Sequence, residues 1–143
     1  MKRKLIFFIS CVPPKATAQQ KGAFVAGGRV RFFKKARIAQ AESDWISLLR
    51  PHAPESPLQG PLRVDVSFVF PFKKTERKAD RDRGWVRSDT RPDVDNLCKM
   101  LFDAMSRLGF WNDDGQIADM RARKMRGQAT GLAVCISEIG AGE

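Results

Sequence analysis

Four aspartates, Asp93, Asp95, Asp113 and Asp114, crowd into a chain that otherwise carries a surplus of positive charge. Clustered carboxylates offer hard oxygen ligands. Mg2+ takes such ligands and often uses only a few of them, with water and a substrate phosphate filling its other positions. A cation held there lowers the pKa of a bound water and neutralises charge developing on a phosphorus centre. Without a cation, the carboxylates would repel and raise one another's pKa. The chemistry implied is phosphodiester hydrolysis. Lys99 stands four residues after Asp95, on the same face of a helix, where its ammonium can meet the scissile phosphate, the attacking water or the leaving oxygen. Each residue also has a plainer reading. Asp93 or Asp95 can cap a helix, Asp114-Gly115 can make a turn, and Lys99 can pair with Asp95 or Asp103. Spacing leaves both sets open.

The elements that must position these residues are legible in the apolar pattern. Leu97, Leu101, Ala104 and Leu108 predict a helix over 94–108, closed by Gly109. The aspartate pairs flank its two ends, which lie about 20 Å apart at roughly 1.5 Å per residue. The pairs meet only if the chain folds back. Residues 110–115 read as a tight turn into a strand over 117–125. If that strand runs beside another, over 62–70, some of its residues approach the helix start. Leu62, Val64, Val66, Phe68 and Phe70 alternate with Arg63, Asp65, Ser67 and Val69, which predicts this second strand as half-buried. Ile38, Ala41, Trp45 and Leu49 predict a helix over 36–50, ended by Pro51, Pro54 and Pro57. Residues 132–138 read as a last strand, forming a hairpin with 117–125 across 127–131. Two basic stretches, 15–35 with Gly27-Gly28 and 72–91 with Trp85 as an anchor, read as mobile loops. The second holds eight basic residues against four acidic ones. The whole is an α+β single domain: a mixed sheet of about four strands with two main helices packed on it.

Composition narrows the partners. The chain has 143 residues and a formal charge of +10, which fits one domain rather than two. No apolar run approaches the roughly 18 residues of a membrane-spanning helix. Such a charge attracts a polyanion. Its basic residues alternate with turn residues instead of lining an amphipathic helix, which favours nucleic acid over lipid. Cys11, Cys98 and Cys135 form no C-x-x-C, and His52 is the single histidine. This argues against a Cys/His zinc site and for small apolar thiols in a reducing cytoplasm. Residues 1–18 imitate a secretory signal: Lys2-Arg3-Lys4, an apolar run, then Ala16-Thr17-Ala18. The competing reading is a first β-strand ended by Pro13-Pro14.

The run Arg91-Pro92-Asp93-Val94-Asp95-Asn96-Leu97-Cys98-Lys99, followed by Phe102-Asp103-Ala104 and by Gly109-Phe110-Trp111-Asn112-Asp113-Asp114-Gly115-Gln116-Ile117, resembles the signature of the RusA family of Holliday junction resolvases. The strong part covers about 91–121. Pro13-Pro14 and the closing Ser137-Glu138-Ile139 are weaker echoes. The chain departs from the family pattern in its long basic stretch before the first aspartate pair and in its N-terminal loop.

The resemblance implies a homodimeric, Mg2+-dependent endodeoxyribonuclease, with Mn2+ as a substitute, often borne by a phage or prophage. It would resolve four-way DNA junctions by paired nicks. By position, Asp93, Asp95 and Asp114 match the metal-binding catalytic carboxylates, Asp113 their supporting neighbour, Lys99 the catalytic lysine and Asn96 a structural asparagine. On this reading Arg29, Arg31, Lys34, Lys73, Lys74, Arg77, Lys78, Arg87 and Arg91 track phosphates, in the cytoplasm and with no membrane partner. Two rivals stand beside it: a basic junction-binding protein without cleavage, and an extracytoplasmic protein whose signal is removed.

Overall fold

The apolar sides of the strands and the apolar stripes of the helices must be buried against one another. The chain does this with one sheet covered on one face. The computed structural model describes residues 2–16, 22–33 and 36–142. In chain order the elements are β1 (Lys4–Ser10), β2 (Gly22–Ala26), β3 (Arg29–Phe33), α1 (Ala36–Leu49), β4 (Leu62–Phe70), α2 (Lys78–Arg83), β5 (Trp85–Arg87), α3 (Val94–Arg107), β6 (Ile117–Gly127) and β7 (Gly131–Glu138). The main sheet runs β1-β7-β4-β6-β5, and only the β4–β6 pair is parallel. The α+β architecture is as expected, with five strands in the sheet instead of about four.

Every second residue of β4, from Leu62 to Phe70, is buried beneath α1 and α3. Trp45 of α1 meets Phe68 edge-on at 6.2 Å. Leu97, Leu101 and Met105 of α3 complete the same core. Cys98 is buried there too, and burial, with the nearby Asp95 charge, pushes its thiol up to about 11. The segment that imitates a secretory signal contributes the edge strand β1, paired with β7 from Lys4↔Ser137 to Ser10↔Gly131.

Three expectations are corrected. First, 117–125 and 132–138 form no hairpin, because β4 lies between β6 and β7 and pairs with both. Gly131 enters β7 at φ +154°, where a Cβ would sit 2.1 Å from the Ile9 carbonyl oxygen, so glycine lets β7 close against β1. Second, 15–35 is not wholly loop: β2 and β3 form a separate two-stranded hairpin. Gly27 and Gly28 turn it at φ +57° and +75°, both on the left-handed side that a tight hairpin turn demands. Third, 72–91 holds α2 and β5. Three residues of strand among so many charges are too few to show an alternation. Trp85 is 39% exposed and is held by the pairing of β5 with β6, opposite Gly127.

Candidate active site

The approach to α3 is fixed from β6. The Ser88 amide donates to the Lys124 carbonyl at 3.1 Å, extending the sheet edge. The Lys124 ammonium donates to the carbonyl oxygens of Pro92, at 2.7 Å, and of Thr90. The Arg91–Pro92 peptide is cis. Asp93 then takes the N-cap position with extended backbone, yet its side chain makes no capping bond. Leu97, Leu101, Ala104 and Met105 turn inward, which leaves Asp95, Lys99 and Asp103 exposed in a row along α3. At one helical step of four between neighbours, the row spans about 12 Å. Among the described residues, Lys99 forms no ion pair with either aspartate, so the ordinary i,i+4 pair is not made. The Asp93 and Asp95 carboxylates are likewise uncommitted, at the helix end whose partial positive charge favours anions. Asn96 is half-buried on the same turn.

The other end of α3 is built differently. Gly109, at φ +81°, reverses the chain, and the Phe110 amide bonds back to the Met105 carbonyl at 3.0 Å. Trp111 is thereby buried. Its indole donates to Asp114 Oδ1 and to Ser106 Oγ, each at 2.7 Å, and the Ser106 hydroxyl donates to the same Asp114 oxygen. Asp103 faces Asp114. Burial first, then the charge and hydrogen bond of Asp114, push the Asp103 carboxyl up from its ordinary value.

The turn is capped by Asp113, not Asp114. Asp113 Oδ1 accepts from the Gly115 amide at 2.8 Å, while Gln116 Oε1 accepts from the Asn112 and Asp113 amides at 2.8 and 3.0 Å. The Gln116 amide nitrogen also donates to the Leu58 and Gly60 carbonyls, tying the turn to the loop before β4. The plain capping reading therefore describes Asp113. Asp93, Asp95 and Asp114 are free of it.

Asp93 and Asp95 have uncommitted oxygens and could hold a cation such as Mg2+, which often uses only one or two carboxylates with water and substrate phosphate. The third expected ligand does not join them within one chain. Among the described residues no three acidic, histidine or cysteine side chains come together to hold a metal ion. β6 does run parallel beside β4, but the side chain it delivers to the helix start is Lys124, seven residues beyond Ile117. Asp114 remains at the opposite end of α3.

The basic stretch 72–91 is tied down by its own acids. Glu76 pairs with Arg126 of β6 at 2.7 Å, both side chains nearly buried, and the Arg126 guanidinium holds the Glu76 carboxyl at about 2. Asp80, also buried, accepts from Arg77 and Arg83, and Lys78 pairs with Asp82. Arg77 and Lys78 are thus committed to carboxylates. Arg29, Lys73, Lys74 and Arg91 are exposed and make no ion pair among the described residues, while Arg87 stacks on Trp85 at 5.0 Å. Lys34 and the side chain of Arg31 lie outside the described residues.

The sequence reading passed over two side chains with a part here, Lys124 and Arg126, and took Asp103 only as a partner for Lys99 and a motif residue, not as a neighbour of Asp114. The alternation of β6 was the available signal, since it puts Lys124 and Arg126 on the face that carries α3. Lys124→Met keeps the stem and removes the donors that hold the backbone before Asp93. Should Asp93 and Asp95 hold a divalent cation, the concentration of that cation for half-maximal DNA cleavage should rise about tenfold, in the range seen when groups supporting a metal ligand are lost. Junction affinity and melting temperature should stay near wild type, which a merely structural role would not allow.

Comparison with known proteins agrees with the motif-level resemblance over nearly the whole chain. The family described as Endodeoxyribonuclease RusA matches residues 12–137. A crossover junction endodeoxyribonuclease of Lactococcus phage r1t is 29% identical over 140 residues, covering 97% of this chain and all of that protein. YqaN, an uncharacterised protein of Bacillus subtilis (strain 168), is 28% identical over 133 residues, 90% of this chain and 92% of its own length. The crossover junction endodeoxyribonuclease RusA of Escherichia coli (strain K12) is 47% identical over a shorter stretch of 51 residues, 35% of this chain and 42% of that protein. With α3, its flanking aspartates and its capped turn in place, the chain belongs to the RusA family of endodeoxyribonucleases.

Proposed function

We propose that this protein is a Mg2+-dependent, structure-selective endodeoxyribonuclease that resolves four-way DNA junctions as a homodimer. The observation that carries the reading is the pair of uncommitted carboxylates, Asp93 and Asp95, at one end of an exposed face that also bears the unpaired Lys99. Asp93 and Asp95 are the residues that hold the cation. Bound there, it supplies an activated water and neutralises charge on the phosphorus centre. The Lys99 ammonium stabilises negative charge on the phosphate or positions the water. Lys73, Lys74, Arg87 and Arg91 engage phosphates, so binding weakens steeply with salt as counterions are released.

The dimer has two supports. A two-fold junction cut symmetrically suits a two-fold enzyme. The length of α3 also keeps Asp114 from Asp93 and Asp95 in one chain, so a second copy laid antiparallel along this face brings Asp114 to the free pair. The match to a phage protein supports a phage or prophage source, and a DNA substrate supports action in the cytoplasm. The direct test incubates wild type with a synthetic four-way junction and a linear duplex, with Mg2+ and with chelator. Paired, Mg2+-dependent nicks confined to the junction are the expected result. Tight junction binding without nicks under Mg2+ or Mn2+ would replace this reading by the non-cleaving binder.

A further inference from the structure

Trp85 is unexplained by the chemistry of α3. It stands on the edge strand β5, 39% exposed, whereas Trp45 and Trp111 are buried. The Arg83 and Arg87 guanidiniums each lie 5.0 Å from its ring centroid. Arg83 is neutralised by Asp80, but Arg87 has no ion-pair partner among the described residues. Beside the ring is a groove of about 350 Å3 on the sheet face away from the helices, lined by Val69, Trp85, Arg87, Arg123, Met125 and Ala129. Arg123 is held in place by a two-pronged pair with Asp65 and a bond to Ser67. The segment that carries Trp85 is fixed to β6 by the Glu76–Arg126 pair. Gly127 lets this edge approach closely, since a Cβ there would stand 3.1 Å from the Gly84 carbonyl oxygen.

We propose that this groove receives a nucleobase unstacked at the branch point of the DNA, with Arg87 on its phosphate. The inference rests on the junction-resolvase reading and adds how the branch is recognised. An apolar, aromatic slot rimmed by guanidiniums complements a base and its backbone: a base stacks on the ring by displacing Arg87 from it, and Arg87, which makes no ion pair among the described residues, turns to the adjoining negative charge. Linear duplex keeps its bases stacked and presents no such group. A four-way branch point has bases whose stacking is interrupted. Selectivity for branched DNA then comes partly from Trp85, apart from the carboxylates that cleave.

The test measures binding in chelator, with a fully paired four-way junction, whose branch-point bases are free to unstack, and with a linear duplex. Trp85 is the exposed tryptophan of three, so its emission reports the contact. Wild type should show quenched emission on the junction. Trp85→Ala should weaken junction binding by about five- to a hundredfold, the range for one lost base–aromatic stack, and leave duplex binding within about twofold. Trp85→Phe, which keeps a ring, should recover most of the loss. Equal losses on both DNAs would overturn the proposal, as would a Trp85→Ala protein that binds the junction like wild type. In either case wild type would still cut the junction, and the resolvase reading would stand. Wild type with no preference for the junction in binding or cleavage would take down both.

Discussion

Asp95→Asn should lose junction cleavage by more than about a hundredfold and keep junction binding within about twofold of wild type, because losing a group one bond further from a metal already costs about 10- to 100-fold. The Asp95 side chain is exposed, makes no ion pair with Lys99 and caps nothing, so the fold has little to lose. Its favourable placement near the helix N-terminus is worth only about 0.3–1 kcal/mol. Binding should not suffer either, since removing a negative charge from a surface that meets phosphates cannot weaken attraction. A helix-stabilising aspartate would behave the other way round, with a lower melting temperature and cleavage nearly intact. Gel cleavage, gel-shift and thermal melting on the same preparation separate the two.

The second large effect concerns pairs of inactive proteins. Asp95→Asn and Asp114→Asn should each be inactive alone, and mixing them under conditions that exchange subunits should restore nicking. If a site draws Asp93 and Asp95 from one protomer and Asp114 from its partner, a mixed dimer has one site doubly broken and one intact. Random exchange of equal amounts gives half mixed dimers, so about a quarter of wild-type sites should return, for a two-fold dimer with two equivalent sites. The restored activity should place single nicks, not symmetric pairs, on each junction. An arrangement closed within one chain predicts no recovery at any mixing ratio. The geometry behind this expectation is simple. α3 runs straight from Val94 to Arg107, and Asp114 is bound beyond its far end to Trp111 and Ser106.

The sequence was most legible where the environment is one-sided. The α3 stripe and the β4 alternation each face a single core, so their periods survive in the letters, and both elements fell within a residue or so of expectation. The aspartates and the supporting place of Asp113 were read from the motif, but the contacts that set Asp113 apart from Asp114 were not. Whether Asp113 or Asp114 caps the turn depends on where the Gln116 amide and the Trp111 indole reach, which spacing does not encode. Strand order was equally hidden. Turn residues at 127–131 suit a hairpin, yet the apolar alternation of β4 is better satisfied between two neighbours than at an edge. The β2–β3 hairpin did leave a signal, Gly-Gly between two short apolar runs, but the basic residues around it outweighed that signal in the reading. In 72–91 the ordering comes from ion pairs between distant positions, Glu76 with Arg126 above all, and no local pattern announces them.

The strand order also governs how the molecule comes into being. β7, late in the chain, sits between β1 and β4, and β1 has no other neighbour in the sheet. Residues 4–10 must therefore wait for residues 131–137 before they can pair. Contacts so far apart in sequence are slow to form, because the intervening chain must be gathered before they repay its entropy. On the ribosome, a chain unfinished before β7 has α1, α3 and only the β4-β6-β5 part of the sheet for them to cover. What α3 can pack on then is α1 and that partial sheet, with β1 and β7 still missing from it. A chain assembled in this way completes its sheet only when synthesis is nearly done, and a truncation that removes β7 leaves β1 without a neighbour in the sheet.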